Sequence, residues 1–232
     1  MTISIYDMDR TLTRKGTWTA WLRFWLRTEA PWRVVLLPAL LVPVVAFELG
    51  LIDRGRLKTW AQQIVMGASA RARVDRAAAV FAAHIVAVDV FPAAKAAIAA
   101  DHAAGRRVVL ATASNAYYAE AIGMALGVPD VVATRMLWSG ERLQPVIAGP
   151  NCYGSGKADM VAAWLAAEGL TGAAWKFQSD HISDLPVFEM ALASGGEAIA
   201  INPSPILRAE ATRRGWPVID WGVPEPSLLE HA

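Results

Sequence analysis

Short apolar runs that each stop at a polar cluster, with helically spaced segments between them, constrain this chain more than any other feature. The first run, Ile3-Ser4-Ile5-Tyr6, ends on Asp7-Met8-Asp9-Arg10-Thr11, which places two carboxylates one residue apart. Val108–Ala111, Ala174–Gln178 and Ala198–Ile201 are further runs of buried-strand character. Helical patterns from Pro92 to Ala104, Asn115 to Leu126 and Lys157 to Glu168 stop at Gly105, Gly127 and Gly169. Strands alternating with helices predict an α/β fold with a doubly wound, mostly parallel sheet. In such a sheet, ligands bind beyond the carboxyl ends of the strands.

Other segments add detail to that outline. Ser204-Pro205, followed by a periodic run to Gly215, carries an N-cap serine, a proline at the first helical position and a closing glycine. Pro217-Val218-Ile219 reads as an edge strand, and the tail from Pro224 to Ala232 as loose chain. Val131–Trp138 and Leu143–Ile147 flank Ser139-Gly140-Glu141-Arg142 as a hairpin would. The stretch from about Arg14 to Val90 breaks the rhythm, with helical patterns and no convincing strand. The expected division is a core of 1–13 and 91–232, with a helical cap inserted at 14–90.

One part of that insertion bears on where the protein works. Val34 to Phe47 contains no charged or strongly polar residue, and Pro38 and Pro43 would kink or break a helix there. Trp18, Trp21, Arg23, Trp25, Arg27, Trp32 and Arg33 precede the run, and Arg54, Arg56 and Lys58 follow it. Tryptophan and cationic side chains are common anchors at a membrane–water boundary. Two readings stay open: a helical hairpin buried in a cap or dimer interface, and a surface that dips into a bilayer. A spanning helix needs roughly 20 apolar residues, more than this run supplies. A net charge of +1 advertises no polyanionic partner, so no nucleic acid is expected. With a single cysteine, Cys152, an internal disulfide is excluded. The first residues lack the basic and apolar regions of a signal peptide, which sets the expected location in the cytoplasm, peripheral on the inner membrane if 34–47 docks there.

Four polar segments, each just after a strand, carry the chemistry. A carboxylate such as Asp7 can attack a phosphoryl group and hold it, dividing hydrolysis into two steps. A second, such as Asp9, can protonate the leaving alkoxide and later deprotonate the attacking water. Thr112-Ala113-Ser114 offers hydroxyls and backbone N–H groups leading into a helix, a natural phosphate cradle, although an N-cap explains it equally well. Lys157, after Gly154-Ser155-Gly156, can set positive charge against phosphate oxygens. The segment is not a nucleotide P-loop, because Asn151 stands where the first glycine belongs and Ala158 follows the lysine. Ser179-Asp180-His181-Ile182-Ser183-Asp184 presents two acids four apart, suited to an oxygen-loving cation such as Mg²⁺. His181 between them reads as a loop residue.

The order Asp-x-Asp-x-Thr, Thr-x-Ser, Lys, Ser-Asp-x-x-x-Asp resembles the haloacid dehalogenase (HAD) superfamily. Its helical insertion between the first two motifs is similar to the subclass containing phosphoserine phosphatase-like enzymes. Tyr6-Asp7-Met8-Asp9, Ala111-Thr112-Ala113-Ser114, Asn151-Cys152-Tyr153-Gly154 and Ser179-Asp180-His181 resemble its CicA-like branch. The resemblance implies a Rossmann-like core with a C1-type helical cap, Asp7 as nucleophile and Asp9 as acid/base. It further implies Mg²⁺ held by Asp7, the Asp9 backbone carbonyl and Asp180, with Asp184 supporting the metal shell. Thr112, Ala113, Ser114 and Lys157 would bind the phosphate. Asp9 favours a phosphatase over a dehalogenase, and Arg10 departs from the small residue usual there. Gly16 stands where phosphoserine phosphatases carry an amine-reading glutamate, and their cap motif Met-x-Phe-x-x-Ser is missing. The same subclass includes a phosphatidylglycerophosphate phosphatase with an apolar, proline-interrupted cap like 34–47. The expected partner is therefore a phosphate monoester, with a lipid phosphate ahead of a small soluble metabolite. A non-catalytic binding module is the remaining alternative.

Overall fold

The computed structural model describes residues 2–222. In chain order the elements are β1 (Ile3–Tyr6), α1 (Thr17–Thr28), a 3-10 segment (Pro31–Leu40), α2 (Leu41–Glu48), α3 (Arg54–Val65), β2 (Ser69–Ala70), α4 (Arg71–Val88), α5 (Pro92–Ala103) and β3 (Arg107–Asn115). They continue with α6 (Ala116–Ala125), β4 (Asp130–Thr134), β5 (Met136–Ser139), β6 (Arg142–Ile147), α7 (Ser155–Ala167), β7 (Trp175–Ser179), α8 (Leu185–Ala193), β8 (Glu197–Ile201), α9 (Pro205–Arg214) and β9 (Val218–Ile219). Gly215 closes α9 in the left-handed conformation, and the Ser204 hydroxyl caps its start, as the sequence signals indicate.

The principal sheet has the order β4-β3-β1-β7-β8-β9. β1 pairs in parallel with β3 on one side and β7 on the other, and β7, β8 and β9 continue in parallel. Strand order therefore reverses beside β1, which defines the switch point where doubly wound folds bind ligands. Tyr6 lies level with Leu110 and Gln178, so β1 and β7 end within a residue of each other, while β3 runs on through Asn115. Every residue of β1 is buried, as befits a strand covered on both faces.

The chain divides into two compact units. The first comprises the described residues of 1–15, 89–111 and 153–232; the second comprises 16–88 and 112–152. The sequence boundary at 14–90 thus meets a second unit that also takes in 112–152. Where the chain leaves and re-enters the first unit, Arg14 N–H donates to the Asp89 carbonyl (2.8 Å) and Phe91 N–H to that of Leu12 (3.0 Å). Phe177 packs edge-on against Phe188 within this unit, ring centroids 4.9 Å apart.

In the second unit Trp21 is fully buried, 5.2 Å from the rings of both Phe81 and Tyr118. Its small antiparallel sheet, β2-β6-β5, corrects two sequence expectations. Residues 14–90 do contain a strand, the two-residue β2, formed only because β6 is there to pair with it. Val131–Trp138 is two strands, β4 and β5, in different sheets; the hairpin itself stands, with Ser139 opposite Arg142. The tail from Pro224 onward lies outside the described residues.

Candidate active site

β1 delivers Asp7. Its N–H donates to the Gln178 carbonyl (2.8 Å), extending the ladder by one bond before the chain turns. The turn closes when the Leu12 and Thr13 N–H groups donate to the Met8 carbonyl (2.9 and 3.1 Å). It requires a left-handed residue, and Arg10, exposed, takes φ of 63°. A non-glycine residue there costs roughly 1–2 kcal/mol, so the surroundings must hold it. Asn202, just past β8, donates its amide to the carbonyls of Arg10 and Thr11, both at 3.3 Å, and accepts from Trp221 N–H at 2.7 Å.

Lys157 lies on the first turn of α7, after Gly154 at φ 58°. A side chain at Gly154 would be strained by that backbone angle. The buried ammonium bridges two buried carboxylates, donating to Asp7 Oδ1 and Asp184 Oδ2, each at 2.7 Å. Asp184 Oδ2 also accepts from the Ser179 hydroxyl (2.6 Å), while its Oδ1 is buried without a hydrogen-bond partner. The Thr11 hydroxyl lies between Asp7 Oδ2 (3.2 Å) and Asp180 Oδ1 (3.4 Å). Asp7, Asp9, Lys157, Asp180 and Asp184 all belong to the first unit.

Negative charge exceeds positive in this cluster. Burial pushes the Asp7 carboxyl up to about 8; Lys157 opposes the rise, and the charges of Asp184, Asp180 and Asp9 add to it. Burial and then Asp184 raise Asp180 to about 6, again against Lys157. Acids held this way, with one carboxylate oxygen orphaned, fit a hard cation. Among the described residues no three His, Cys, Asp or Glu side chains enclose an ion by themselves. The fit is to Mg²⁺, which takes one or two carboxylates and completes its shell with water, carbonyl and phosphate oxygens. Asp7 and Asp180 are the carboxylates placed to serve.

Thr112, Ala113 and Ser114 belong to the second unit and differ from expectation in one respect. They are the last part of β3, which runs on through Asn115, and not a loop after it. The Thr112 hydroxyl accepts from Ser114 N–H (3.1 Å), and Ser114 Oγ lies 2.9 Å from the Thr17 hydroxyl. The Ala113 carbonyl accepts from Lys58 Nζ (2.5 Å) and Thr134 Oγ1 (3.0 Å), and both donors also reach Asn151 Oδ1 at 3.0 Å. The His181 ring accepts from Ser183 N–H (3.1 Å), consistent with a loop residue. Thr11, Ser179 and Asn202 had no role assigned from sequence. Thr11 stood inside the quoted motif, and Asn202 sits at a strand end before Pro203-Ser204-Pro205, a position that could have marked it.

A doubly wound sheet with a carboxylate–lysine–carboxylate cluster past its central strand defines an α/β protein with its chemistry at the strand ends. The haloacid dehalogenase-like hydrolase family model matches residues 5–189, and the chain belongs to that family. It is 38% identical over 135 residues to a probable phosphatase of Mycobacterium tuberculosis, a match covering 58% of this chain and 45% of that protein. It is 31% identical over 120 residues to a phosphoserine phosphatase of the same species, covering 52% of this chain and 38% of that one. The chain thus spans less than half the length of these curated relatives. A crystal structure of a Bordetella pertussis protein of unknown function superimposes with a TM-score of 0.81 at 25% identity, over 95% of this chain and 98% of that one.

Proposed function

We propose that this chain is a Mg²⁺-dependent phosphomonoesterase working through an aspartyl-phosphate. The observation that carries the reading is the buried Asp7–Lys157–Asp184 bridge at the end of the central strand. Asp7 attacks phosphorus, the phosphorus–oxygen ester bond breaks, and the leaving alkoxide takes a proton from Asp9. Water then attacks phosphorus as the Asp9 carboxylate takes a proton from it. The Asp7–phosphorus bond breaks and inorganic phosphate leaves. Lys157 orients Asp7 and offsets the repulsion between its carboxylate and an anionic ester. Asp184 and Ser179 fix Lys157 in turn. The family resemblance is the ground for assigning phosphate contacts to Thr112, Ala113 and Ser114. When bound by Asp7, Asp180 and the Asp9 carbonyl, Mg²⁺ supplies charge neutralisation at the phosphate oxygens.

The favoured substrate is a membrane lipid phosphate such as phosphatidylglycerophosphate. It is supported by the outward exposure of residues 31–48, where only Pro43 is buried. The phosphoserine phosphatase relative supports a second reading, a small soluble phosphate ester. The test is phosphate release from phosphatidylglycerophosphate in mixed micelles and from phosphoserine, with and without Mg²⁺, using Asp7→Asn as the blank. Release from the lipid alone sustains the first reading, and release from phosphoserine alone replaces it with the second. Mg²⁺-dependent release from no ester by folded protein overturns the phosphatase reading.

A further inference from the structure

The segment Pro31–Glu48 is the one stretch among the described residues long and apolar enough to cross a membrane. Ten residues of 3-10 helix and eight of α-helix reach about 30 Å, near the thickness of a bilayer core. The split into two helical types follows from Pro38 and Pro43, neither of which can donate a backbone hydrogen bond. The packing rules out a crossing. α3 runs back along the segment, so that the Arg33 guanidinium donates to the carbonyls of Gln63 (3.1 Å) and Ile64 (3.0 Å) near the far end of α3. A crossing would pull Arg54, Arg56, Lys58 and Gln62 of α3 through hydrocarbon with it, at prohibitive cost.

The segment is nonetheless not core. Val35 is 72% exposed, Leu41 66% and Val42 64%, and Leu49 and Leu51 extend the patch. A continuous apolar surface of this kind is rare on a soluble monomer and marks an interaction face. Its two ends are alike. At the start the Arg33 guanidinium sits over the exposed Trp32 ring (4.9 Å), and at the finish the Arg54 guanidinium sits over Phe47 (5.8 Å). Aromatic rings paired with arginines suit the headgroup level of a membrane. With one such pair at each end, the segment is built to lie flat.

We propose that residues 31–51 form an in-plane docking surface for an anionic bilayer, with the apolar face among the acyl chains and the arginines at the headgroups. Charge selects this occupant over a second copy. Arg23, Arg27, Arg54 and Arg56 are exposed around the segment. Of the nearby acids, Glu29 pairs with Arg73 (2.7 Å) and Asp53 caps α3 by accepting from Arg56 N–H (2.7 Å), while Glu48 is the exposed acid within the segment, so the arginines still outnumber it. A two-fold dimer through this face would bring basic rims together, whereas anionic lipid neutralises them. The proposal goes beyond the phosphatase reading and does not depend on it, because docking is measured without substrate.

The test is flotation of the full chain with phosphatidylcholine vesicles and with phosphatidylcholine–phosphatidylglycerol vesicles, beside sedimentation velocity without lipid. Binding to the anionic vesicles should be tighter by on the order of tenfold or more and should weaken with salt. The double variant Val35→Glu/Val42→Glu should lose that binding by about a hundredfold. Its far-ultraviolet circular dichroism and its hydrolysis of the soluble ester p-nitrophenyl phosphate should stay as in the parent. Binding to neither vesicle, equal binding to both, or a dimer dissolved by the same substitutions overturns the proposal. Docking without hydrolysis would sink the phosphatase reading alone.

Discussion

Asp7 and Asp101 are both buried carboxylates of the same unit, yet their surroundings drive them in opposite directions. Burial disfavours the charged form at each. At Asp101 that push is outweighed by hydrogen bonding from Lys176 (2.8 Å to Oδ1), Ser4 and Tyr6 (2.6 Å to Oδ2) and by the charge of Lys176, so its pKa falls below the ordinary value; Arg106 Nη1 also donates to Oδ1 (2.9 Å). At Asp7 the single ammonium is shared with Asp184 and further acids crowd in, so the pKa rises. A carboxylate with all its donors in place is structural. One left short of positive charge is ready for a cation and an electrophile.

That contrast can be broken in a graded series. Asp7→Asn should cut ester hydrolysis by on the order of 10⁴-fold with the fold retained, read by initial rates beside circular dichroism. Asp101→Asn should do the reverse, costing about 3–5 kcal/mol of stability by urea unfolding while the folded fraction keeps its turnover. A large rate loss in Asp101→Asn at full stability would erase the distinction. Next is metal. Mg²⁺ at about a hundredfold over its dissociation constant should stabilise the parent by roughly 2.7 kcal/mol, seen as a raised melting temperature, and Asp180→Asn should respond much less.

The pH dependence sharpens the same comparison. Because folding lowers the Asp101 pKa from 3.8, its stabilising contribution is complete above that value and is lost as pH falls through the depressed folded one. The stability gap between parent and Asp101→Asn should therefore shrink below about pH 4; a gap that widens there would contradict the assignment. The smallest effect expected is at the loop. Asn202→Ala removes three side-chain hydrogen bonds, two donated and one accepted, from a partly exposed site and should cost about 1–2 kcal/mol, measured by the same urea titration.

Much of this was legible in the residues because it depends on near neighbours. Glycines at helix ends, the Ser204 cap, the runs that end on Asp7 and Asp180, and the glycine-led helix start at Lys157 are set by local sterics and by the period of burial. Asp101 was not legible. In the sequence it is an acid in the last turn of an alanine-rich helix, and the partners that define it, Tyr6 and Lys176, lie 95 and 75 residues away. Thr112–Ser114 was placed one step late for a related reason: how far a strand runs depends on its neighbours, and β3 continues through Asn115.

By itself the sequence determined the alternating α/β order, the positions of the chemical groups at strand ends, and the two prolines that divide 31–48 into two helical types. These follow from backbone sterics and hydrophobic period, which act over a few residues. Tertiary structure alone decided that Lys157 serves two acids at once, that Asp101 is saturated and Asp7 is not, and that the most apolar stretch faces outward. An apolar run carries the same pattern whether protein, a second copy or lipid covers it. Only the packing of α3 along one side shows which face is left open.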